Sequence, residues 1–328
     1  MDTPNIICTD RDFIEGARRI QKELLMSPVR SVMDALADVA TLKTGIRYEE
    51  KWYQFDLDSF EFGPYDKNRK EQLKLTFDPR KLVTYFGSVY KLFDPNEYVQ
   101  TIYSSAVTKG ESLKTTEIVR LALNRAGVKA GDALRRVAFS AKRNAEGGKS
   151  ADLFDGYDTI TAKEIENGTL SEANGNLFKF AEAITAENAV DMLTAFADAA
   201  DDWLQEEKQV NMIVPFSVYN AYNRDYKATT GAAPYNKEFK QTFIEGHENF
   251  ILKPMAEKKG SGFIQLTTKR NMLVGVNQNG EGESVIVEKH HPVDLTFFGT
   301  LFFGEEFRSL NKEHILVGEM KADAVTEP

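Results

Sequence analysis

The spacing of hydrophobic and polar positions changes several times along the chain, and each change marks a new element. Between residues 10 and 43, Phe13, Ala17, Ile20 and Leu24 recur at helical spacing, with Asp10 or Thr9 placed to cap. The pattern is interrupted at Ser27 and Pro28 and resumes at Val32, Leu36 and Val39. Proline lacks the amide that an interior helical bond needs, so two short helices broken at this dipeptide are expected. From residue 46 to 93 the period falls to two. Tyr53, Phe55 and Leu57 alternate with Gln54, Asp56 and Asp58, and Leu73, Leu75 and Phe77 repeat the pattern, as strands with one wet face do. Between them, Gly63, Pro64 and a dense run of mixed charge predict a long hairpin with a polar tip. Such a hairpin has little core of its own and needs a neighbour to pack on.

The helical period returns over 115–146. Thr115 or Thr116 caps this stretch, and Ile118, Leu121, Ala122, Val128, Leu134, Val137, Ala138 and Ala141 supply its apolar stripe. Gly127 and Gly131 each weaken a helix interior by about 1 kcal/mol relative to Ala, so a bend or two segments are expected there. A second helix is expected over 185–207, where Val190, Leu193, Phe196, Ala197, Ala200 and Leu204 form one face. From Asn211 onward the chain, including PFSVYNAYNRDY, reads as short strands punctuated by turn residues. Gln278, Asn279 and Gly280 mark a hairpin turn, because Asn-Gly tolerates positive φ. No internal repeat or low-complexity tract is present.

Composition narrows the class. With 328 residues the chain can bury a large core, and length predicts about two domains. The net charge of −9 argues against a free nucleic-acid binder, which carries a basic footprint. A single cysteine, Cys8, excludes an internal disulfide framework and fits a reducing cytoplasm. The N-terminus has no basic region followed by an apolar core, so no secretory signal is expected. Nor does any window approach the ~20 apolar residues of a membrane span.

Candidate chemistry is sparse. Gly147, Gly148, Lys149 and Ser150 end like a phosphate-binding loop, but position 143 is Arg where that motif requires Gly, and a helix rather than a strand precedes it. His290 and His291 are adjacent, so on a strand they point to opposite faces and cannot close on one metal ion. Asp56 and Asp58 read as the wet side of an amphipathic strand, and Asp198, Asp201 and Asp202 as a solvated helix face. Asn167, Gly168 and Thr169 form a sequon that reads as a turn. No catalytic, cofactor-binding or metal-binding residue is assigned. The one enzymatic alternative gathers dispersed groups such as Asp155, Asp201 and His247, with no motif to support it. A locally basic strip remains: Arg120, Arg125, Lys129, Arg135, Arg136, Lys142 and Arg143 against Glu117, Asp132 and Glu146. Facing a packed polyanion, it would neutralise phosphates without regard to sequence.

Taken in order, these segments resemble the major capsid proteins of tailed bacteriophages, the Hong Kong 97 fold. The phrases EGHENFILKPM, GFIQLTTKRNMLVGV and ESVIVE, and the segment PVDLTFFGTLFFGEEFRS, carry the likeness together with the element order. The resemblance implies an α+β protein with an N-terminal arm (1–45), an extended β-hairpin called the E-loop (46–82) and a peripheral domain (83–150 and 283–310). The long spine helix of that domain falls at 115–146, and an axial domain covers 151–282 and 311–328. It also implies hexamers and pentamers that close into an icosahedral virion shell around double-stranded DNA, assembled in the bacterial cytoplasm without cofactor or membrane. Portal and decoration proteins are implied partners. A fused scaffolding domain of about a hundred residues has no room here, so a separate scaffold is expected if one is used. No residue match assigns an isopeptide crosslink. The hairpin tip, Asp66, Lys67, Arg69, Lys70 and Glu71, is expected to set register with a neighbouring subunit, and the basic strip to meet the genome. An encapsulin-type compartment shares the fold and is the nearest alternative. A tail or connector protein fits the element order less well.

Overall fold

Two β-sheets facing one common core organise the protein. The computed structural model describes residues 10–57, 75–93, 115–229, 242–277, 284–289 and 295–321. At the start, α1 (Asp10–Arg19) and α2 (Gln21–Leu36) are separated at Ile20, not at Pro28, which lies inside α2. The missing amide bond of Pro28 is outweighed by packing, since Leu24, Val29, Val32 and Leu36 of α2 are all buried. Strand β1 (Thr41–Lys43) follows, and then the antiparallel hairpin of β2 (Glu49–Leu57) and β3 (Leu75–Val83), in register from Glu49↔Val83 to Leu57↔Leu75. Strand β4 (Tyr85–Phe93) leaves the hairpin through Thr84.

The helix expected over 115–146 is α3, Thr115–Arg135, and it is a single helix across both glycines. Beyond it the chain turns, because its carbonyls are used elsewhere. Ala138, Phe139 and Ala141 carbonyls accept from the amides of Tyr157, Asp158 and Gly156 (3.1, 3.0 and 2.9 Å), which seats α4 (Tyr157–Glu166) against them. The helix expected over 185–207 is two, α5 (Ala189–Asp198) and α6 (Asp202–Glu206), the second capped by Asp201. The stretch PFSVYNAYNRDY, expected as strand and turn, is helix α7 (Phe216–Thr229). Its aromatic content suits a strand, yet its buried residues Val218, Tyr222 and Asp225 recur at helical spacing.

In the first sheet the long strand β12 (Leu295–Phe307) is central. Strand β4 pairs along one side of it, while β11 (Val285–Lys289) and β10 (Met272–Val276) follow one another along the other. Strand β1 adds to β10 in parallel. The second sheet runs β5 (Leu177–Lys179), β13 (Ile315–Glu319), β9 (Phe263–Thr267), β6 (Val210–Pro215), β8 (His247–Met255) and β7 (Phe243–Ile244). Strand β10 already belongs to the first sheet, so the chain crosses between sheets at 268–271, earlier than the boundary expected at 283. The crossing is held by buried Asn271, whose Nδ2 donates to Thr267 Oγ1 (2.9 Å) and the Ser309 carbonyl (3.0 Å) and whose Oδ1 accepts from the Ser309 amide (2.8 Å).

The core divides into three clusters. Ala17, Leu24 and Leu123 of α1–α3 cover Val285, Val287, Leu295 and Phe297 at one end of the covered face of the first sheet, the face that also carries Phe303 and Phe307. Helices α5 and α7 cover the far face of the second sheet, with Leu193, Phe196, Val218 and Tyr222 against Met212, Val214, Phe250 and Leu266. Between the sheets lies the largest cluster, where Met272, Val274, Phe303 and Phe307 meet Ile213, Ile315 and Val317 around Phe139, Phe154 and Tyr157.

Candidate functional site

The hairpin is the first candidate, and its root is fixed at several points. The Thr84 amide donates to the Tyr48 carbonyl (2.7 Å), and the Tyr48 amide donates to Thr84 Oγ1 (3.1 Å). Trp52 Nε1 donates to the Arg308 carbonyl (2.7 Å). The Arg80 guanidinium forks between Glu164 (3.2 Å) and Glu306 (2.7 Å), with its Nε on the Phe307 carbonyl (3.1 Å). Beneath this root, Gly275 of β10 and Gly304 of β12 are cross-strand partners. A Cβ on Gly304 would stand 2.0 Å from the Val83 carbonyl oxygen, and one on Gly275 2.9 Å from Leu82 Cδ2. The glycine pair is therefore a notch that lets the hairpin root cross the sheet. The expected tip residues, Asp66, Lys67, Arg69, Lys70 and Glu71, lie outside the described residues.

The basic strip divides on inspection. Arg125, Lys129, Arg136 and Lys142 are exposed, with Arg125 and Lys129 one turn apart on α3. Arg135 instead pairs with Glu257 (2.5 Å). Arg143 donates to the Asp152 and Asn144 carbonyls (3.1 and 3.3 Å) and lies 4.7 Å from the centre of the Tyr85 ring. These two arginines hold the fold rather than a ligand. Arg120 lies in α3, and its side chain is outside the described residues.

The open face of the first sheet carries an apolar row. Tyr90, Phe298 and Ile286 are register partners across β4, β12 and β11. Tyr90 is 54% exposed and Ile286 39%, with Phe86 and Leu92 of β4 near one half. Phe302 is covered by Phe86 and by Tyr48, ring centres 4.9 and 5.3 Å away. Tyr48 holds a φ of +78°, a left-handed conformation that bulky residues rarely adopt. Contiguous exposed apolar groups of this kind mark contact surfaces.

The remaining polar groups do not converge. Asp155 pairs with Lys163 (2.7 Å), Asp201 with Lys312 (2.8 Å), and His247 with Asp198 (2.8 Å). The residues named for the enzymatic alternative are thus split among three separate ion pairs. The Asp198–Asp201–Asp202 group, expected as a merely solvated face, instead supplies two of those pairs and the α6 cap. In the loop at 147–150, the Lys149 amide donates to Asp152 (3.0 Å), closing a local turn. Gly168, with φ +79°, ends the turn at the sequon. Among the described residues no group of three His, Cys, Asp or Glu could hold a metal, and no helix is long and apolar enough to cross a membrane. Cys8, Asp58, His290 and His291 lie outside the described residues, as does the side chain of Asp56.

One buried constellation escaped the sequence reading. Lys258, fully buried in the short turn Ala256–Lys258 after β8, donates from Nζ to Asp158 Oδ1 (2.9 Å) and Gln265 Oε1 (2.5 Å). The ammonium also stands 4.6 Å from the Phe139 ring centre. Gln265 Nε2 donates to the same Asp158 oxygen (2.8 Å). Glu305 is buried, and among the described residues neither of its carboxylate oxygens has a hydrogen-bond partner. Burial pushes the Glu305 carboxyl well above its usual range, and the Asp158 charge adds to the shift. Burial lowers Lys258, with Asp158 opposing. It raises Tyr157 well above the ordinary phenol, with Glu305 and Glu306 contributing. The only sequence signal was two acids, Glu305 and Glu306, ending an apolar strand.

No protein-family model matches the chain, and no curated protein matches it. Solved structures do. A chain of the satellite phage P4 procapsid, which includes the size determination (Sid) protein, superposes with a TM-score of 0.57 at 11% identity, covering 91% of this chain and 90% of that one. The cyanophage A-1(L) capsid gives 0.56 at 11% identity over 90% and 93%. The capsid of a native GTA particle gives 0.55 at 12% identity over 89% and 91%. At this identity the likeness is one of fold, and the fold is that of phage capsid proteins.

Proposed function

We propose that this chain is the major capsid protein of a tailed bacteriophage, with the Hong Kong 97 fold. On this reading it assembles as hexamers and pentamers into an icosahedral head around double-stranded DNA. The observation that carries the reading is the superposition on capsid chains over nine-tenths of both partners, as with the cyanophage capsid at 90% and 93%. In this reading the β2–β3 hairpin is the E-loop, α3 the spine helix, the first sheet the core of the peripheral domain, and the second sheet with α5–α7 the axial domain. A shell of identical chains needs a stiff body with extensions that adapt to unequal neighbours. Two sheets with interlocked cores, and a hairpin whose root is fixed to them, suit that demand. The scattered ion pairs suit a protein whose product is a surface rather than a reaction. Scaffold, portal and decoration proteins would be its partners, and the virion its location.

Negative-stain images of the purified protein test the proposal. Closed shells or hexameric capsomers are expected, and a monodisperse monomer at high concentration would overturn it. Shells filled with a protein cargo instead of nucleic acid would replace it with the encapsulin alternative. Genome contact through the exposed part of the basic strip is tested separately. Replacing Arg125, Lys129, Arg136 and Lys142 by Gln should lower DNA retention in filled particles and leave empty-shell assembly unchanged. Loss of assembly with normal DNA retention would refute that role.

A further inference from the structure

Among the described residues, the seam between the two sheets holds two carboxyl groups, Asp158 and Glu305, and one of them has an ammonium partner, Lys258. Strand parity explains how this arises. Phe303, Glu305 and Phe307 share a face of β12, and both phenylalanines lie in the core between the sheets. On β9, Ile264 and Leu266 face the outer core under α5 and α7, so Gln265 faces the seam from the opposite side. Asp158, in the first turn of α4, lies between the two strands, and Lys258 reaches it from the turn after β8. Asp158 and Lys258 neutralise one another through a direct bond at 2.9 Å. Among the described residues no cation or donor reaches Glu305, and both of its carboxylate oxygens are buried.

We propose that Glu305 is the proton-binding element of a latch between the two sheets: its neutral carboxyl allows the seam to close, and its ionisation loosens it. The groups that act on it define the balance. Asp158 and Tyr157 come from α4, and Asp158 is itself held by Lys258 from the turn after β8 and by Gln265 from β9. Its strand neighbour Glu306 points the other way, to Arg80 at the hairpin root. Ionised Glu305 would place a second negative charge near Asp158 at low local dielectric, where repulsion between like charges is strongest. Opening readmits water to the carboxylate. The closed form therefore holds one more proton than the open form at pH values between the ordinary carboxylate range and the raised value of Glu305. Rising pH favours opening throughout that interval. The latch is a property of the folded chain and holds whether or not the chain builds a shell.

Backbone hydrogen exchange of the purified full chain, corrected for the intrinsic pH dependence of exchange, tests the latch in peptides covering β9 and β12. One proton released on opening raises the opening constant about tenfold per pH unit. Wild type should show this slope from pH 5 upward, and Glu305→Gln should lose one proton's worth of it. Glu306 contributes its own slope to both proteins, so the difference between them is the readout. Infrared spectra of the wild type give a second measurement that needs no variant to fold. A protonated-carboxyl stretch should persist above the ordinary carboxylate range and weaken by one carboxyl in Glu305→Gln. Identical exchange slopes in the two proteins, or no protonated carboxyl in the wild type, would overturn the proposal. So would a slope that depends on whether sodium or potassium is present, since a bound cation would then balance Glu305.

Discussion

Replacing Gly304 by Ala should unseat the hairpin root. The added Cβ would lie 2.0 Å from the Val83 carbonyl oxygen and 3.1 Å from Thr84 Cα, about 1 Å short of the closest approach a Cβ tolerates. Both obstacles are backbone, so no side-chain rotation relieves the overlap. Either β12 shifts within its ladder or the hairpin root lifts away from it. Lifting the root exposes Leu82, now fully buried with Ile46 and Leu273, and burying one such side chain contributes about 1.5–3 kcal/mol. Forcing the overlap instead costs about 1–3 kcal/mol as ordinary overpacking. The cheaper route sets the outcome, and a destabilisation of about 1–3 kcal/mol is expected.

Urea unfolding followed by circular dichroism measures the total, and hydrogen exchange of the Thr84 and Tyr48 amides localises it. Gly275→Ala should cost less, since the nearest atoms it meets belong to side chains, Leu82 Cδ2 at 2.9 Å and Thr84 Cγ2 at 3.0 Å, rather than to backbone. Gly148→Ala has no atom within 4 Å and should be near neutral. If Gly304→Ala matches wild type in midpoint and in Thr84 protection, the notch does not fix the hairpin and the argument fails.

Two further perturbations read the ion pairs. Arg80→Met strands Glu164 and Glu306, whose side chains keep 20% and 19% of their exposure, so about 2–4 kcal/mol should be lost at neutral pH. Burial already raises the Glu306 carboxyl, with Arg80 opposing. Without Arg80 it protonates more readily, so the loss should shrink as pH falls from 8 to 5. A urea-midpoint difference that does not vary with pH would contradict this. Asp201 is held below the usual carboxylate range chiefly by the hydrogen bond from Lys312. Its stabilisation is therefore present above the unfolded value of about 3.9 and lost as pH falls below it. Asp201→Asn keeps the cap on the Trp203 amide but loses the pair. The variant should be slightly less stable at pH 7 and equal to wild type in strong acid; a gap that persists in acid would assign the effect to the cap.

What the sequence made legible depended on how local the cause was. Period-two alternation at Tyr53, Phe55 and Leu57 reported a hairpin strand because alternation is set within the strand itself. Pro28 misled because its cost is local while its compensation is not. The helix continues through it because α3 lies against it, and a Cβ at Gly131 would sit 2.4 Å from the Pro28 carbonyl oxygen. The same contact reverses the meaning of Gly127 and Gly131. Read alone they weaken α3, yet in the fold they admit α2 at close range, with Ser31 bonded to Asp132 (2.6 Å) beside them. The early end of α3 has a similar origin, since just beyond it the carbonyls of Ala138, Phe139 and Ala141 are taken by residues that come after a loop.

The same reasoning separates the parts of the candidate site. Exposed cations such as Arg125 and Lys129 were legible because a helix face needs no partner to define it. The notch and the seam were not, because each exists only where distant strands meet. Gly275 and Gly304 have meaning as a pair, and Lys258, in a sequence that reads as a surface turn, becomes the most buried charge only because Asp158 and Gln265 receive it. The determinants of these contacts thus lie in pairings across the fold, where single-chain periodicity carries no signal.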